Sequence, residues 1–518
     1  MNRLALWLDN PILVKHARSR LRTMQLLSSI AVVMVLGLTI VLLGYAYNGL
    51  NGGQTFGGLM TLQMVILGIM GASQVGASVA KARDSGILDF HRASPMPPFS
   101  EALGFFFGAP IREYLMFAAT LPFSVVCVFM GRPSVLGSIQ LLGSIVLAAW
   151  TLHAIALLNA LAGKGGKSAN RGVVGLALLL IFGGGWMVAG FFQLASGIDE
   201  NPLGHFFELP LPWLLVLAVD LLPFIGFLML ASTRKLASER AHSLSKPQAI
   251  GALATVAVLM LGGLWKLDVG FYCTLVVLYA LILVSIVLAA VMTPSLDEFS
   301  KGVRKAAKEG GKYPSAWSDR GLNRISLFCL CGIVLVTSTV AWRTIERPVP
   351  WLLQQVSVSY SLPIAIGVLV VAYFGLALQF FQLRFGKRGA TFLALFLLVA
   401  WLLPLACGAI SAASYEHKRT PDSPPDTWSP AIASLSPIFG LTVSSGVANI
   451  TGLDQARVTA LMPALIFALL FNNLVTATRR RIEKEIHPAP APAPAPAPEP
   501  KAKVEPDPDE LAEPAMTL

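Results

Sequence analysis

Stretches of roughly 20 apolar residues recur along this chain, at 25–47, 57–80, 113–131, 136–161, 172–195, 211–232, 249–265, 270–292, 325–342, 358–381, 390–411 and 457–478. About that length lets a helix cross the hydrocarbon core of a bilayer, and a spanning segment must satisfy its own backbone hydrogen bonds there. Apolar residues make up 55% of the 518 positions and charged residues 13%, whereas soluble domains run at roughly 45–50% and 25%. The sequence therefore predicts an all-α, polytopic helical membrane protein with about twelve transmembrane helices and no soluble catalytic domain.

The formal charge of +11 would suit a nucleic-acid binder, but its placement argues otherwise. With the N-terminus in the cytoplasm, roughly 31 of the 39 Lys and Arg residues fall on cytoplasmic segments, as the positive-inside rule requires. The densest clusters are Arg18/Arg20/Arg22, Lys164/Lys167/Arg171, Arg234/Lys235/Arg240/Lys246, Lys301/Arg304/Lys305/Lys308, Lys387/Arg388 and Arg479–Arg481. Alternate loops are basic, so both termini are expected inside, in the cell (inner) membrane, and no nucleic-acid partner is expected. Residues 430–450 are apolar enough to suggest a further span. That would put Arg479–Arg481 outside, so a re-entrant or interfacial helix on the outer face is the expectation. The first apolar run is too long for a cleavable signal. All five cysteines lie within apolar runs, where they act as small apolar side chains, and neither a disulfide nor a metal site is expected.

Six runs precede the basic segment 233–248 and six follow it, which divides the chain into 25–232 and 233–486 as two six-helix halves. Ser94-Pro95-Met96-Pro97-Pro98-Phe99-Ser100 after the second run is echoed by Thr293-Pro294-Ser295-Leu296-Asp297-Glu298-Phe299-Ser300 after the eighth. The shared S/T-P-x-x-x-F-S register is consistent with a 6+6 parallel repeat. Residues 1–24 mix Leu4, Leu6, Trp7, Ile12, Leu13 and Val14 with cations, the pattern of a cytoplasmic interfacial amphipathic helix. The longest outer stretch is 412–456. Residues 487–518 form an Ala-Pro-rich, then acidic, tail that reads as a disordered polyproline II spacer.

Several short matches carry no chemistry. Gly163–Ser168 ends like a phosphate-binding loop but lacks the earlier glycine, Leu161 standing in its place, and no strand precedes it. Leu50-Asn51-Gly52-Gly53-Gln54 looks like an ATPase signature loop on the wrong side of the membrane, and Asn449-Ile450-Thr451 is a chance acceptor triplet. With no zinc-protease, nucleophile-elbow or dinucleotide fingerprint either, the chain is not expected to be an enzyme.

The informative constellation lies between the second and third runs: Arg83-Asp84-Ser85-Gly86-Ile87-Leu88-Asp89-Phe90-His91-Arg92-Ala93-Ser94-Pro95-Met96. A short helix carrying charge and apolar residues, stopped by Pro95, Pro97 and Pro98, suits rigid docking on a cytoplasmic partner; an ordinary helix resting on lipid headgroups is the other reading. The segment resembles that of ABC-2-type ABC transporter permeases, whose form is E-x-G-T-L-[DE]-x-L-x-x-[ST]-P. Asp84 stands where that family has Glu, Gly86, Leu88, Asp89, Ser94 and Pro95 match, and Ile87 departs from the usual Thr. Gly104, Gly108 and Arg112-Glu113-Tyr114 resemble the family's run into the third span, and 10–22 its connecting helix. The resemblance covers residues 1–232 and extends to 233–486 only by topology. It implies an exporter permease with a coupling segment at 82–100 and a separately encoded ABC ATPase subunit that binds the ATP and Mg; this chain itself needs no cofactor.

In the second half, 293–324 holds a basic helix-like run and Tyr313–Arg320, with Phe299, Arg304, Trp317, Asp319 and Arg320 as a candidate second docking segment or, alternatively, a solvated loop. Polar groups inside the runs are costly unless paired or wetted. Asp220 before Pro223 serves either a substrate or proton path or the backbone freed by the proline, while His153 and Asn159 are expected to bond between helices. Two competing functions stay open: a twelve-helix secondary transporter, proton-coupled through Asp220, and a non-transporting scaffold. The pathway is formed either by one chain or by two as a homodimer.

Overall fold

A computed structural model describes residues 10–48, 52–131, 135–162, 203–239, 241–265, 273–311, 313–345, 360–420, 423–445 and 453–486. Among these, 10 helical stretches are long and apolar enough to cross a membrane, and every apolar run of the sequence except 172–195 falls on one. The run 172–195 and the tail 487–518 lie outside the described residues.

The chain enters through α1 (Pro11–Arg20), which Asn10 starts: its Oδ1 accepts from the backbone N–H of Ile12 at 3.0 Å and of Leu13 at 3.4 Å, with proline in the first turn. The apolar α2 (Thr23–Asn48) follows. The second long helix is α3 (Gly52–Met64), continued through a π turn, Val65–Met70, into α4 (Gly71–Asp84). Two short helices come next, α5 (Ile87–Ala93) and α6 (Pro98–Gly108), and then α7 (Ile111–Gly131) and α8 (Val135–Ala162). A small antiparallel hairpin, β1 (Leu203–Phe206) and β2 (Leu209–Pro212), leads into α9 (Trp213–Ala237). The hairpin departs from an all-α expectation. Its turn is anchored by the Phe207 N–H on the Gly262 carbonyl at 2.8 Å, and the Phe206 ring lies where any Gly262 side chain would have to go.

The second half begins at α10 (Lys246–Leu264), set by a Ser245/Gln248 capping box, and continues with α11 (Cys273–Met292) and the surface helix α12 (Leu296–Lys308). After α13 (Arg324–Val340) and its π turn Ala341–Ile345 comes α14 (Ser361–Phe385). Residues Ser361–Lys418 are helical almost throughout, yet they are not one rod. At Gly386 the backbone takes φ +54 and the chain reverses. The returning limb is α15 (Gly389–Leu397), a π turn Leu398–Leu402 and α16 (Leu403–Lys418). Phe385 and Phe392 sit 4.2 Å apart, and Trp401 Nε1 donates to the Tyr373 hydroxyl at 2.6 Å, which pins the two limbs together.

The described part of 430–450, up to residue 445, holds no helix long enough to span. Its helices are α17 (Trp428–Ser434) and α18 (Pro437–Ser444), each about 12 Å or less at 1.5 Å per residue, against roughly 30 Å of hydrocarbon. Both are packed among α14, α16 and the last helix, α19 (Leu453–Ile486). Tyr279 donates to the Ile438 carbonyl at 2.6 Å, and Gly408 lets the α17 backbone at Ala433 approach α16.

The helix pairings of the first half recur in order in the second. Contacts α2·α3, α2·α7, α3·α7, α4·α8 and α8·α9 have counterparts in α10·α11, α10·α13, α11·α13, α11·α14 and α14·α19. Leu158, Phe227 and Leu230 of the first half pack against the large apolar cluster of the second.

The fit of α1 on α6 turns on two glycines one helical turn apart. A Cβ at Gly104 would stand 2.7 Å from Ile12 Cβ, and one at Gly108 would stand 3.1 Å from Leu13 Cα. This small-xxx-small groove lets the helices lie backbone to backbone, with Ile12 buried and Asn10 Nδ2 donating to the Ser100 carbonyl at 2.5 Å. Gly104→Leu is expected to eject α1, costing about 1–3 kcal/mol by overpacking. Limited trypsin digestion in detergent should then cleave at Arg18–Arg22 faster than in the parent protein, while Gly76→Ala, whose Cβ meets nothing, should leave the digestion unchanged.

Candidate docking interface

The segment after the second apolar run folds as a braced outward step. Gly86 takes φ +72, a left-handed conformation that breaks α4 from α5, and its carbonyl accepts from the N–H of Asp89 at 3.1 Å. α5 ends where Ser94 turns extended ahead of Pro95, its hydroxyl bonded to the His91 carbonyl at 2.7 Å. Leu88 is turned inward, into the cluster with Val79, Ala82 and Leu236.

Arg92 fixes α5 to the end of α9. It donates to the Leu236 carbonyl at 3.0 Å and the Lys235 carbonyl at 3.3 Å, placing a cation on the last turn of that helix, and also pairs with Asp89 at 2.7 Å. On the other side His91 Nδ1 bonds the Glu101 carboxyl of α6 at 2.9 Å. Burial holds that carboxyl above the ordinary carboxylate range despite the His91 hydrogen bond. Nearby, burial first and then the Arg20 and Lys15 charges push His16 down to about 4, so its ring packs edge-on against Phe105 as a neutral group. With these anchors satisfied, Asp84, Gly86, Asp89 and Pro95 face outward, Ser94 is half-buried, and Phe90 is 73% exposed.

The second candidate segment lies on the same face. α12 starts with a capping box, Ser295 Oγ accepting from the Glu298 N–H and Glu298 from the Ser295 N–H. Its apolar side, Phe299 and Val303, is buried against Leu383 of α14 and Ile482 of α19. Phe299 is thus an anchor rather than part of an exposed docking surface. Arg304, Trp317 and Arg320 are exposed, and Asp319 is held by Arg234 at 2.5 Å. The loop closes onto α19 through Tyr313, which donates to Glu483 at 2.8 Å and carries the Arg479 guanidinium 3.6 Å above its ring.

What joins the two segments is the linker between the halves. Lys246 is buried, and its Nζ donates to three carbonyls of the second loop: Ala316 at 2.9 Å, Gly321 at 2.8 Å and Leu322 at 3.1 Å. All three ammonium protons are matched. Arg234 bonds the His242 carbonyl at 3.1 Å as well as Asp319. His242 Nδ1 donates to the Val291 carbonyl at 2.9 Å, and its Nε2 stands 3.4 Å from Glu298. Burial opposes the charged form of His242, but Glu298, the Val291 carbonyl and Asp319 outweigh it and raise the imidazole above its ordinary value. Reciprocally, His242 and the Ser295 amide hold Glu298 down at about 2. In the sequence Lys246 and Arg234 read only as topology signals and His242 carries no signal at all, and nothing there points to carbonyl partners some 70 residues away.

The intramembrane candidates are not gathered at this face. His153, fully buried on α8, donates from Nε2 to the Leu67 carbonyl at 2.9 Å, in the π turn where the helical ladder is interrupted. Its Nδ1 lies 3.5 Å from the Tyr114 hydroxyl, which accepts from Trp150 Nε1 at 3.0 Å. Asn159 is half-buried further along α8, and Asp220 is half-buried on α9 one turn before Pro223. Among the described residues no cluster of three or more His, Cys, Asp or Glu side chains can hold a metal ion.

Comparison of the chain with protein-family models, with curated proteins and with solved structures finds no match to any of them.

Two outcomes follow for this face. Lys246→Met strands three carbonyls at about 1–3 kcal/mol each where water cannot reach them, so a fall in detergent melting temperature and faster proteolysis within 311–322 are expected; Lys301→Met, on an exposed side chain, should do neither. The His242–Glu298 pair contributes fully between about pH 4.5 and 6.5. The histidine share is lost as pH rises through its raised folded value, and the glutamate share as pH falls through about 2. A melting profile against pH should therefore decline as pH rises above about 6.5, and His242→Gln should flatten that decline.

Proposed function

We propose that this chain is the membrane-embedded permease of an ATP-driven exporter similar to the ABC-2 class, with about twelve spans in two six-helix halves and both termini in the cytoplasm of a cell (inner) membrane. It has no ATPase activity of its own; ATP and Mg belong to a separately encoded ABC ATPase subunit.

The observation that carries this reading is α5. A helix of seven residues gains little from its own ladder, yet this one is fixed to the end of α9 by Arg92, to α6 by His91 and to the core by Leu88. The outward side that remains, Asp84, Asp89 and the exposed Phe90, combines an aromatic anchor with charge, as interface hot spots do. A push on such a step is delivered to α4, α6 and α9 together, which suits conversion of ATPase closure into helix movement. The recurring helix pairings, with α12 standing after the second helix of the second half as α5 does in the first, favour a pathway built by one chain over one assembled by a homodimer.

The test is recovery of an ATPase with the tagged protein from detergent-solubilised native membrane. Gly86→Val forces a branched side chain into a left-handed conformation at about 1–2 kcal/mol, and together with Asp84→Lys it should reduce ATPase recovery roughly tenfold or more while the melting temperature moves by only a few degrees. Asp220→Asn should leave recovery and transport unchanged. Transport abolished by Asp220→Asn and indifferent to Gly86→Val would instead establish a proton-coupled secondary transporter.

A further inference from the structure

We infer that the two docking helices receive two chemically different ATPase subunits, and that the one seated on α12 presents an acidic groove. The inference rests on the permease reading above and deepens it by specifying the partners.

The outward sides of α5 and α12 differ in charge. On α5 the exposed groups are Asp89 and Phe90, Asp89 being paired with Arg92 at 2.7 Å, and beside them at the end of α4 Asp84 stands one turn from Lys81, so this side carries little net charge. On α12, Lys301, Arg304, Lys305 and Lys308 all face outward; Asp297 at the first turn and Glu309, 3.5 Å from Lys305, offset part of that charge. The surroundings add to it, since Lys387 and Arg388 at the α14 reversal and Arg480 and Lys484 near the end of α19 are exposed on elements that pack against α12.

The cationic side of α12 is suited to a protein rather than to lipid. Interfacial helices bind a bilayer by sinking an apolar face among the headgroups. Here that face is already used within the fold: Phe299, Val303 and Ala306 are buried, Leu296 is half-buried against the same cluster, and no apolar residue of α12 is exposed. The aromatic offered beside the stripe, Trp317, is 47% exposed on the docking loop next to Arg320.

A groove acidic enough to hold four outward cations finds no matching cations on the near-neutral, aromatic side of α5, and one suited to α5 lacks partners for the α12 stripe. Two copies of one ATPase chain carry identical grooves, so one of the two seats would be mismatched. Two sequences, each matched to one helix, remove the conflict.

The experiment is purification of the full chain with its bound ATPase subunits from native membrane, with composition read by native mass spectrometry and peptide sequencing. One permease chain with two ATPase chains of different sequence is expected. The variant Lys301→Glu/Arg304→Glu/Lys305→Glu/Lys308→Glu should then lose one of them roughly tenfold or more and keep the other. Asp84→Lys/Asp89→Lys should lose the other, and both variants are compared at matched monodisperse elution. Two copies of a single ATPase sequence would overturn the inference and leave the permease reading standing, as would loss of both subunits with the α12 variant alone. A single ATPase unaffected by α12 reversal, together with weakened binding of that variant to phosphatidylglycerol vesicles, would assign the stripe to the membrane and overturn it too. Absence of any ATPase would overturn both readings.

Discussion

A backbone N–H or C=O left unpaired in hydrocarbon costs several kcal/mol, and the places where this chain interrupts its helices show how that cost is met. The π turn at Val65–Met70 presents the Leu67 carbonyl to His153. The last turn of α8 presents Leu161 to Arg83, and that of α9 presents Lys235 and Leu236 to Arg92. The loop after α12, folded with little regular structure of its own, presents three carbonyls to Lys246. In each case a long cationic or imidazole side chain from another element supplies the missing donor. Tertiary structure at the helix ends is therefore specified by donors reaching carbonyls, and the apolar packing between the ends follows from small residues such as Gly104 and Gly408 that let backbones approach.

The legibility of the fold tracks this division. Helices were readable because 20 apolar residues in a row have few alternatives in a bilayer, and the reversal at Gly386 was readable because Lys387 and Arg388 demand water between two such runs. The step at Gly86–Pro95 was readable because a glycine, a short mixed helix and three prolines are local signals. Lys246 was not: its partners are carbonyls 70–76 residues away, and a carbonyl leaves no mark in sequence. Nor was the inward turn of Phe299, since only the arrival of Leu383 and Ile482 from distant helices decides which side of α12 is buried. The hairpin at 203–212 was not foreseen, since Pro210 and Pro212 disfavour a strand interior and 211–212 were counted with the apolar run that follows.

The linker between the halves does more than connect. Arg234 and Lys246 flank the described residues around His242, and their bonds reach Asp319 on one side of the interface while the carbonyls of Lys235 and Leu236 hold Arg92 on the other. The two candidate docking segments are thereby tied to one short stretch of backbone, so a displacement of either reaches the other without passing through the spans. Coupling of this kind needs only rigid contacts with two arrangements, and the His242–Glu298 pair adds a bond that weakens as pH rises through the raised value of His242.

The clasp between α1 and α6 carries a consequence for biogenesis. Asn10 meets Ser100 across a separation of 90 residues, so for on the order of 5–20 s, at roughly 5–20 residues per second of synthesis, the N-terminal helix has been made but its groove of Gly104 and Gly108 has not. Closure of the clasp then becomes possible only if the first two long helices have inserted as a pair and returned the chain to the side it started from. The seating of α1 between Gly104 and Gly108 therefore depends on α2 and the α3–α4 limb lying side by side, so the clasp ties the start of the chain to the pairing of its first two long helices.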